Sequence, residues 1–139
     1  QSLLLTDGPD GERCVRTTTY HSFSLFKPHR NNTSVKTQTQ ENNPLGLSAS
    51  ASKNDKGQLV VSLVNPRADA DWQVEGTIRG LSAKSATAQI LHDADLNACN
   101  SFDQPDRLVP RAHPARIDGG RLMVDLPRLS VATVTIQTA

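Results

Sequence analysis

What most constrains this chain is a two-residue rhythm of apolar and polar positions, broken by turn residues, that recurs over most of its 139 residues. Leu47, Ala49 and Ala51 alternate with Ser48, Ser50 and Ser52; Leu59, Val61 and Leu63 share a face; Trp72, Val74, Gly76 and Ile78 alternate with Gln73, Glu75, Thr77 and Arg79. Successive side chains of a strand point to opposite faces, so each run predicts a strand with one buried and one wet face. Turn residues stand between them: Asn54-Asp55-Lys56-Gly57, Asn65-Pro66-Arg67 and Gly80-Leu81-Ser82. Ala86 to Leu91 reads as a further strand, and Asp93 to Arg111 as a long polar connection. Leu122, Val124 and Leu126 follow the Gly119-Gly120 turn, and Val131 to Ile136 closes the series with Ala132, Val134 and Ile136 on one face.

A different period occurs near the start. In Thr19 to Lys27 the rings of Tyr20, Phe23 and Phe26 recur every third residue, which predicts a short helix capped by Thr19 and stopped by Pro28. A helix so short cannot persist alone, and its rings predict burial against a sheet or a neighbouring domain. Many short strands, one helix and no low-complexity tract define the expected fold class: all-β, an antiparallel jelly-roll-like β-sandwich with one short N-terminal helix.

Length and charge exclude several functions. A (β/α)₈ barrel needs about 250 residues, so none fits here whole. Fifteen Lys+Arg against 14 Asp+Glu, scattered along the chain, leave a formal charge of +1 and no footprint for nucleic acid or an anionic membrane. No apolar run approaches the roughly 20 residues of a membrane span, and Gln1 to Leu5 is too short for the apolar region of a signal peptide. The chain begins without Met and reads as a piece of something longer. Cys14 and Cys99 allow one disulfide but form neither a CxxC pair nor a zinc spacing; two buried thiols are the favoured reading. The Asn31 and Asn32 glycosylation patterns carry no weight without a secretion signal.

Chemistry-bearing patterns are sparse. Glycosidases need two carboxyl groups, about 5 to 5.5 Å apart when retaining. Asp7, Asp10, Asp55, Asp69, Asp93, Asp103, Asp106 and Asp118 fall in or beside turns, while Glu75 and Asp125 fall on wet strand faces, so all read as solvated acids. There is no G-x-S-x-G elbow or phosphate loop, and nothing marks Cys14 and His21 as a pair. Asp93, Asp95 and Asn97 have the first spacings of a calcium loop, but Ala98 stands where such a loop needs Gly, which favours a hydrogen-bonded connection. Glycan-binding sandwiches use exposed rings, and Trp72, the one ring on a strand, alternates with Val74 and Ile78 on the buried side. No catalytic, cofactor-binding or metal-binding residue is assigned.

Several motifs nevertheless resemble a known family. Leu5-Thr6-Asp7-Gly8, then Thr18-Thr19-Tyr20-His21-Ser22-Phe23, then Phe26-Lys27-Pro28-His29 are similar to the segment that leaves the catalytic barrel in family 51 glycoside hydrolases, the α-L-arabinofuranosidases. Val61-Ser62-Leu63-Val64-Asn65, Asn100-Ser101-Phe102-Asp103 and Leu126-Pro127 with Leu129-Ser130-Val131 agree in order. Thr18, Phe26 and Arg30 depart from the proline, tyrosine and glutamine of the pattern. The resemblance implies a division into residues 1–30, a segment leaving an absent barrel with the short helix, and residues 31–139, the C-terminal sandwich.

It further implies a non-catalytic domain supporting the barrel and a homo-oligomer of a soluble, cytoplasmic enzyme that releases terminal arabinofuranosyl residues. The family's two catalytic glutamates lie in the barrel, and their motifs are not in this sequence. In the family, strands from before the barrel complete the sandwich, so this chain alone is expected to expose a strand edge and an aromatic helix face. The partners expected are the barrel and further copies, with no nucleic acid and no membrane. Two alternatives stay open: a carbohydrate-binding module for arabinose-containing glycans, and a small hydrolase with an unrecognised acid pair.

Overall fold

Two antiparallel sheets of unequal size face each other in the computed structural model, which describes residues 2–39 and 46–139. In chain order the strands are β1 (Leu4–Asp7), β2 (Arg13–Arg16), β3 (Thr33–Val35), β4 (Ser48–Lys53), β5 (Leu59–Asn65), β6 (Trp72–Thr77), β7 (Ala83–His92), β8 (Arg111–His113), β9 (Arg116–Asp118), β10 (Arg121–Leu126) and β11 (Ser130–Thr138). The helix α1 (Thr18–Phe26) runs into a 3₁₀ turn at Lys27–His29. The larger sheet has the order β3-β4-β5-β11-β7-β8, the smaller one β6-β10-β9, and β1 and β2 form a separate hairpin. The all-β sandwich with one short helix agrees with the alternation in the sequence.

The core lies between the two sheets and is aliphatic. Leu59 and Leu63 of β5, Ala132, Val134 and Ile136 of β11, and Ala88 and Ile90 of β7 meet Leu122, Val124 and Leu126 of β10 and Val74 of β6. Leu126, Ala132, Val134 and Ile136 have no exposed surface, and burying such a side chain is worth about 1.5–3 kcal/mol. The expected turns form: Asn54 and Gly57 close the β4–β5 hairpin, with Gly57 N–H donating to the Asn54 carbonyl at 3.0 Å. Gly57 has φ +78°, and a Cβ there would also press on Thr138 Oγ1 at 3.3 Å.

Two expectations are corrected. The central strands lack a wet face: Val60 and Ser62 are buried on the side of β5 opposite the core, as Thr133 is on β11; there α1 lies against β11 and β7, and His29 of the 3₁₀ turn bonds to Ser62. The helix is capped by Thr17, not Thr19: Thr17 is extended, and its Oγ1 accepts from the Tyr20 N–H at 3.3 Å. As expected, the α-helix ends just before Pro28: α1 closes at Phe26 with Lys27 as its C-cap, and Pro28 sits at the start of the following 3₁₀ turn, where it has no helical N–H to lose.

As the resemblance implied, the aromatic face of α1 is the exposed one. His21 and Leu25, four residues apart and so one above the other, face the sheet, whereas Phe23 is 68% and Phe26 40% exposed. Leu25 packs with Leu91 and Val131 of the sheet and with Ala98 and Leu108 of the 93–110 connection. Asn100, buried within that connection, donates to the carbonyls of Arg16 and Leu108 at 2.9 and 2.8 Å, and its Oδ1 accepts from Leu108 N–H at 2.7 Å.

Asn65, 1% exposed, fastens the end of the sandwich: its Nδ2 donates to the carbonyls of Ala70, Leu126 and Pro127 at 3.0–3.2 Å, and its Oδ1 accepts from Arg67 N–H. Asn65→Asp keeps the shape but sets a carboxylate against three carbonyl oxygens. Urea unfolding should show a loss of about 3 kcal/mol or more, while Asn54→Asp, at a half-buried turn, should cost well under half of that.

Candidate functional site

Because the smaller sheet has three strands and the larger six, one end of the large sheet's inner face is left without a cover among the described residues. An open groove of about 740 Å³ runs there, between Ala49, Ala51 and Val61 on one side and Trp72, Val74 and Ile78 on the other. It is bounded by β6, which pairs only with β10 and therefore presents a free strand edge among the described residues. Trp72 is half-buried, packed against the core from the rim of this groove, as its alternation with Val74 requires.

The second surface is the outer side of α1. Phe23 and Phe26 project from it, while Tyr20 is half-buried with the Arg16 guanidinium over its ring at 5.1 Å. Beneath, His21 is buried with Nε2 lacking a hydrogen-bond partner. Burial first, and then the Arg16 guanidinium, hold its imidazole below the ordinary histidine range, with Asp106 opposing.

Several carboxylates are engaged by arginines. Arg13 pairs with Asp7, Arg67 with Asp69, and Arg121 with Glu75. Asp93 and Asp95 turn back on their own loop, accepting the N–H of Asp95 and of Asn97 at 2.9 Å each, and these bonds lead in lowering their pKa values. Arg107 then bridges both carboxylates, at 3.1 Å to Asp93 and 2.9 Å to Asp95. The spacing that resembles a calcium loop is thus a hydrogen-bonded connection centred on an arginine. Asp7, Asp69, Asp93 and Asp95 are all shifted downward, opposite to what a general acid needs.

Cys14 and Cys99 correct the buried-thiol reading: both are free and exposed, Cys14 because it lies on an outward position of the β1–β2 hairpin. Cys14 is on the surface while His21 is buried, and no hydrogen bond joins them. Among the described residues no group of three or more His, Cys, Asp or Glu is placed to hold a metal ion, and no helix is long and apolar enough to cross a membrane.

Two facing antiparallel sheets with one short helix outside the larger one define the class: an all-β sandwich domain. Comparison with known proteins gives the family. Residues 1–130 match the family model described as the alpha-L-arabinofuranosidase C-terminal domain, and the chain belongs to that family. It is 31% identical over 146 aligned positions to an intracellular exo-alpha-L-arabinofuranosidase of Bacteroides ovatus, covering 99% of this chain and 28% of that protein.

Among solved structures, the GH51 arabinofuranosidase of Xanthomonas axonopodis pv. citri superposes with a TM-score of 0.84 at 28% identity, over 99% of this chain and 29% of that one. The family 51 enzyme of Bifidobacterium longum shares the fold at a TM-score of 0.78 and 18% identity, over 98% of this chain and 28% of that one. The chain therefore spans under a third of the length of these relatives.

A histidine with a depressed folded pKa contributes stability that is complete above its unfolded value, about 6.5, and lost as pH falls through that value toward the folded one. Urea unfolding should show stability falling between about pH 7 and pH 5. His21→Leu, which removes the unpartnered Nε2, should flatten part of that fall and leave stability at pH 8 unchanged or higher; an unaltered slope would assign the fall to other groups.

Proposed function

We propose that this chain is the non-catalytic C-terminal sandwich of an α-L-arabinofuranosidase, packing beside the catalytic barrel of the parent enzyme and supporting its oligomer. The carrying observation is a pair of surfaces left uncovered among the described residues: an apolar inner face of β4 and β5 beside a free β6 edge, and a helix with Phe23 68% exposed. The groove takes a strand from the polypeptide outside this chain, and the helix face takes the barrel. Residues 1–30 serve as the segment leaving the barrel and residues 31–139 as the sandwich proper. In this reading the chain supplies support, and hydrolysis of terminal arabinofuranosyl residues belongs to the barrel. The Bacteroides ovatus relative is an intracellular enzyme, and two free exposed thiols suit the reducing interior of a cell.

The purified chain should not hydrolyse an aryl α-L-arabinofuranoside, and should raise the activity or stability of a family 51 enzyme truncated before this domain. Turnover by the chain alone, abolished by substituting one aspartate, would favour the small-hydrolase reading. Trp72 fluorescence unchanged by arabinan oligosaccharides is expected; a saturable shift would support a glycan-binding module instead. Phe23→Ser should leave unfolding stability within about 0.5 kcal/mol, since the ring is largely exposed, and should reduce self-association measured by sedimentation velocity.

A further inference from the structure

The hydrogen bonds beneath the 3₁₀ turn have one direction, and that direction fixes the state of a histidine. His29 lies between two sheet serines, with Nδ1 2.7 Å from Ser52 Oγ and Nε2 2.7 Å from Ser62 Oγ. Thr133 Oγ1 donates its single hydrogen to the Leu25 carbonyl at 2.8 Å, so in the contact with Ser62 at 3.1 Å the serine must be the donor. Ser62 has then used its own hydrogen, and His29 Nε2 must donate to it. The neutral ring is therefore the Nε2–H tautomer, whose Nδ1 accepts from the Ser52 hydroxyl, and Ser52 Oγ in turn accepts from Asn32 Nδ2 at 3.0 Å. One chain of donors runs from Asn32 through Ser52, His29, Ser62 and Thr133 to a carbonyl at the end of α1.

We infer that His29 is a proton-sensitive latch that fastens α1 and its exposed phenylalanines to the large sheet, closed by the neutral Nε2–H ring and opened by protonation at Nδ1. A proton on Nδ1 meets the Ser52 hydroxyl hydrogen and takes away its acceptor, so the run of donors is broken at that point. No counter-ion is at hand. The 3₁₀ turn and α1 contribute Lys27, Tyr20 and His21, β4 contributes Lys53, Arg30 follows the turn, and β5, β11 and β3 carry no titratable side chain. No carboxylate belongs to any of these elements. Phe26 stacks on the ring with centroids 6.1 Å apart. Burial holds the His29 pKa below the ordinary value, in the same sense. The inference concerns the attachment of α1 and stands whatever packs on its outer side.

Nitrogen-15 NMR of the imidazole in the unsubstituted chain at pH 8 should show a protonated Nε2 and a bare Nδ1; the opposite tautomer would overturn the inference. On acidification, amide exchange from Leu25 to His29, corrected for intrinsic rates, should accelerate before that of β7 and β11. The acceleration should reach up to tenfold for each unit by which the folded His29 pKa lies below the unfolded one. Ser52→Ala removes the bond that favours the neutral ring and should move the His29 midpoint upward. A midpoint unmoved by that change, or exchange that accelerates everywhere together, would overturn the latch.

Discussion

The fold depends on the burial of β5 and β11 on both of their faces. A strand covered by a second sheet on one side and a helix on the other has no water for its polar side chains, so each must find a partner within the protein. Ser62 and Thr133 sit opposite one another in the β5–β11 register and meet hydroxyl to hydroxyl, and the helix completes the set with the Leu25 carbonyl and His29. A carbonyl in the last turn of a helix has no intrahelical donor, so the sheet satisfies an end of the helix while the helix satisfies the sheet. Leu25 and His21 alone, on a helix of nine residues, would bury too little to hold it; the directed bonds set where it lies.

The inequality of the two sheets follows from the same central strands. β6, β10 and β9 cover β5, β11 and β7, where Leu122, Val124 and Leu126 close on Ala132, Val134 and Ile136. Beyond β6 there is no further strand among the described residues to meet Ala49 and Ala51, and the alternation of β4 nonetheless continues with small apolar residues on that side. Alanines are suited to a place where another backbone comes close, whereas a face meant for water would carry polar groups.

Much of this was legible in the sequence because a period of two is a direct image of the pleat. The strands from β4 to β7, β10 and β11, with their turns, lie where alternation places them, and Asp93 to Arg111 is the irregular connection its composition suggests. The short strands β1, β2, β3, β8 and β9, of three or four residues, were not distinguishable, since so few residues cannot establish a period. The aromatic face of α1 was legible, but which of the two expected covers it has was not. Ring spacing reveals which side of a helix is apolar but not whether its cover belongs to the same chain, and here Leu25 and His21 face the sheet while the rings face outward. Asn65, Asn100 and His29 lay hidden among polar residues, because each makes a bond that reaches far along the sequence, across 61, 84 and 33 positions respectively.

The two uncovered surfaces are close neighbours, divided by a single pair of strands. The groove is bordered by Val35 of β3 and by Ala49 and Ala51 of β4, on the inner face; Ser52, the next residue of β4, turns to the outer face and holds His29 at the end of the helix. A strand laid along β6 and a body set against Phe23 and Phe26 would therefore sit on opposite faces of the large sheet. Both contacts come within reach of one polypeptide whose strand and bulk are separated by little more than the thickness of a sheet, about 10 Å. An N-terminal strand and a barrel of the same enzyme meet that requirement without a second molecule. In that arrangement the attachment of α1 to Ser52, Ser62 and Thr133 sets the distance between the two contacts, and a helix loosened from the sheet would misplace one of them even with every side chain of the interface unchanged.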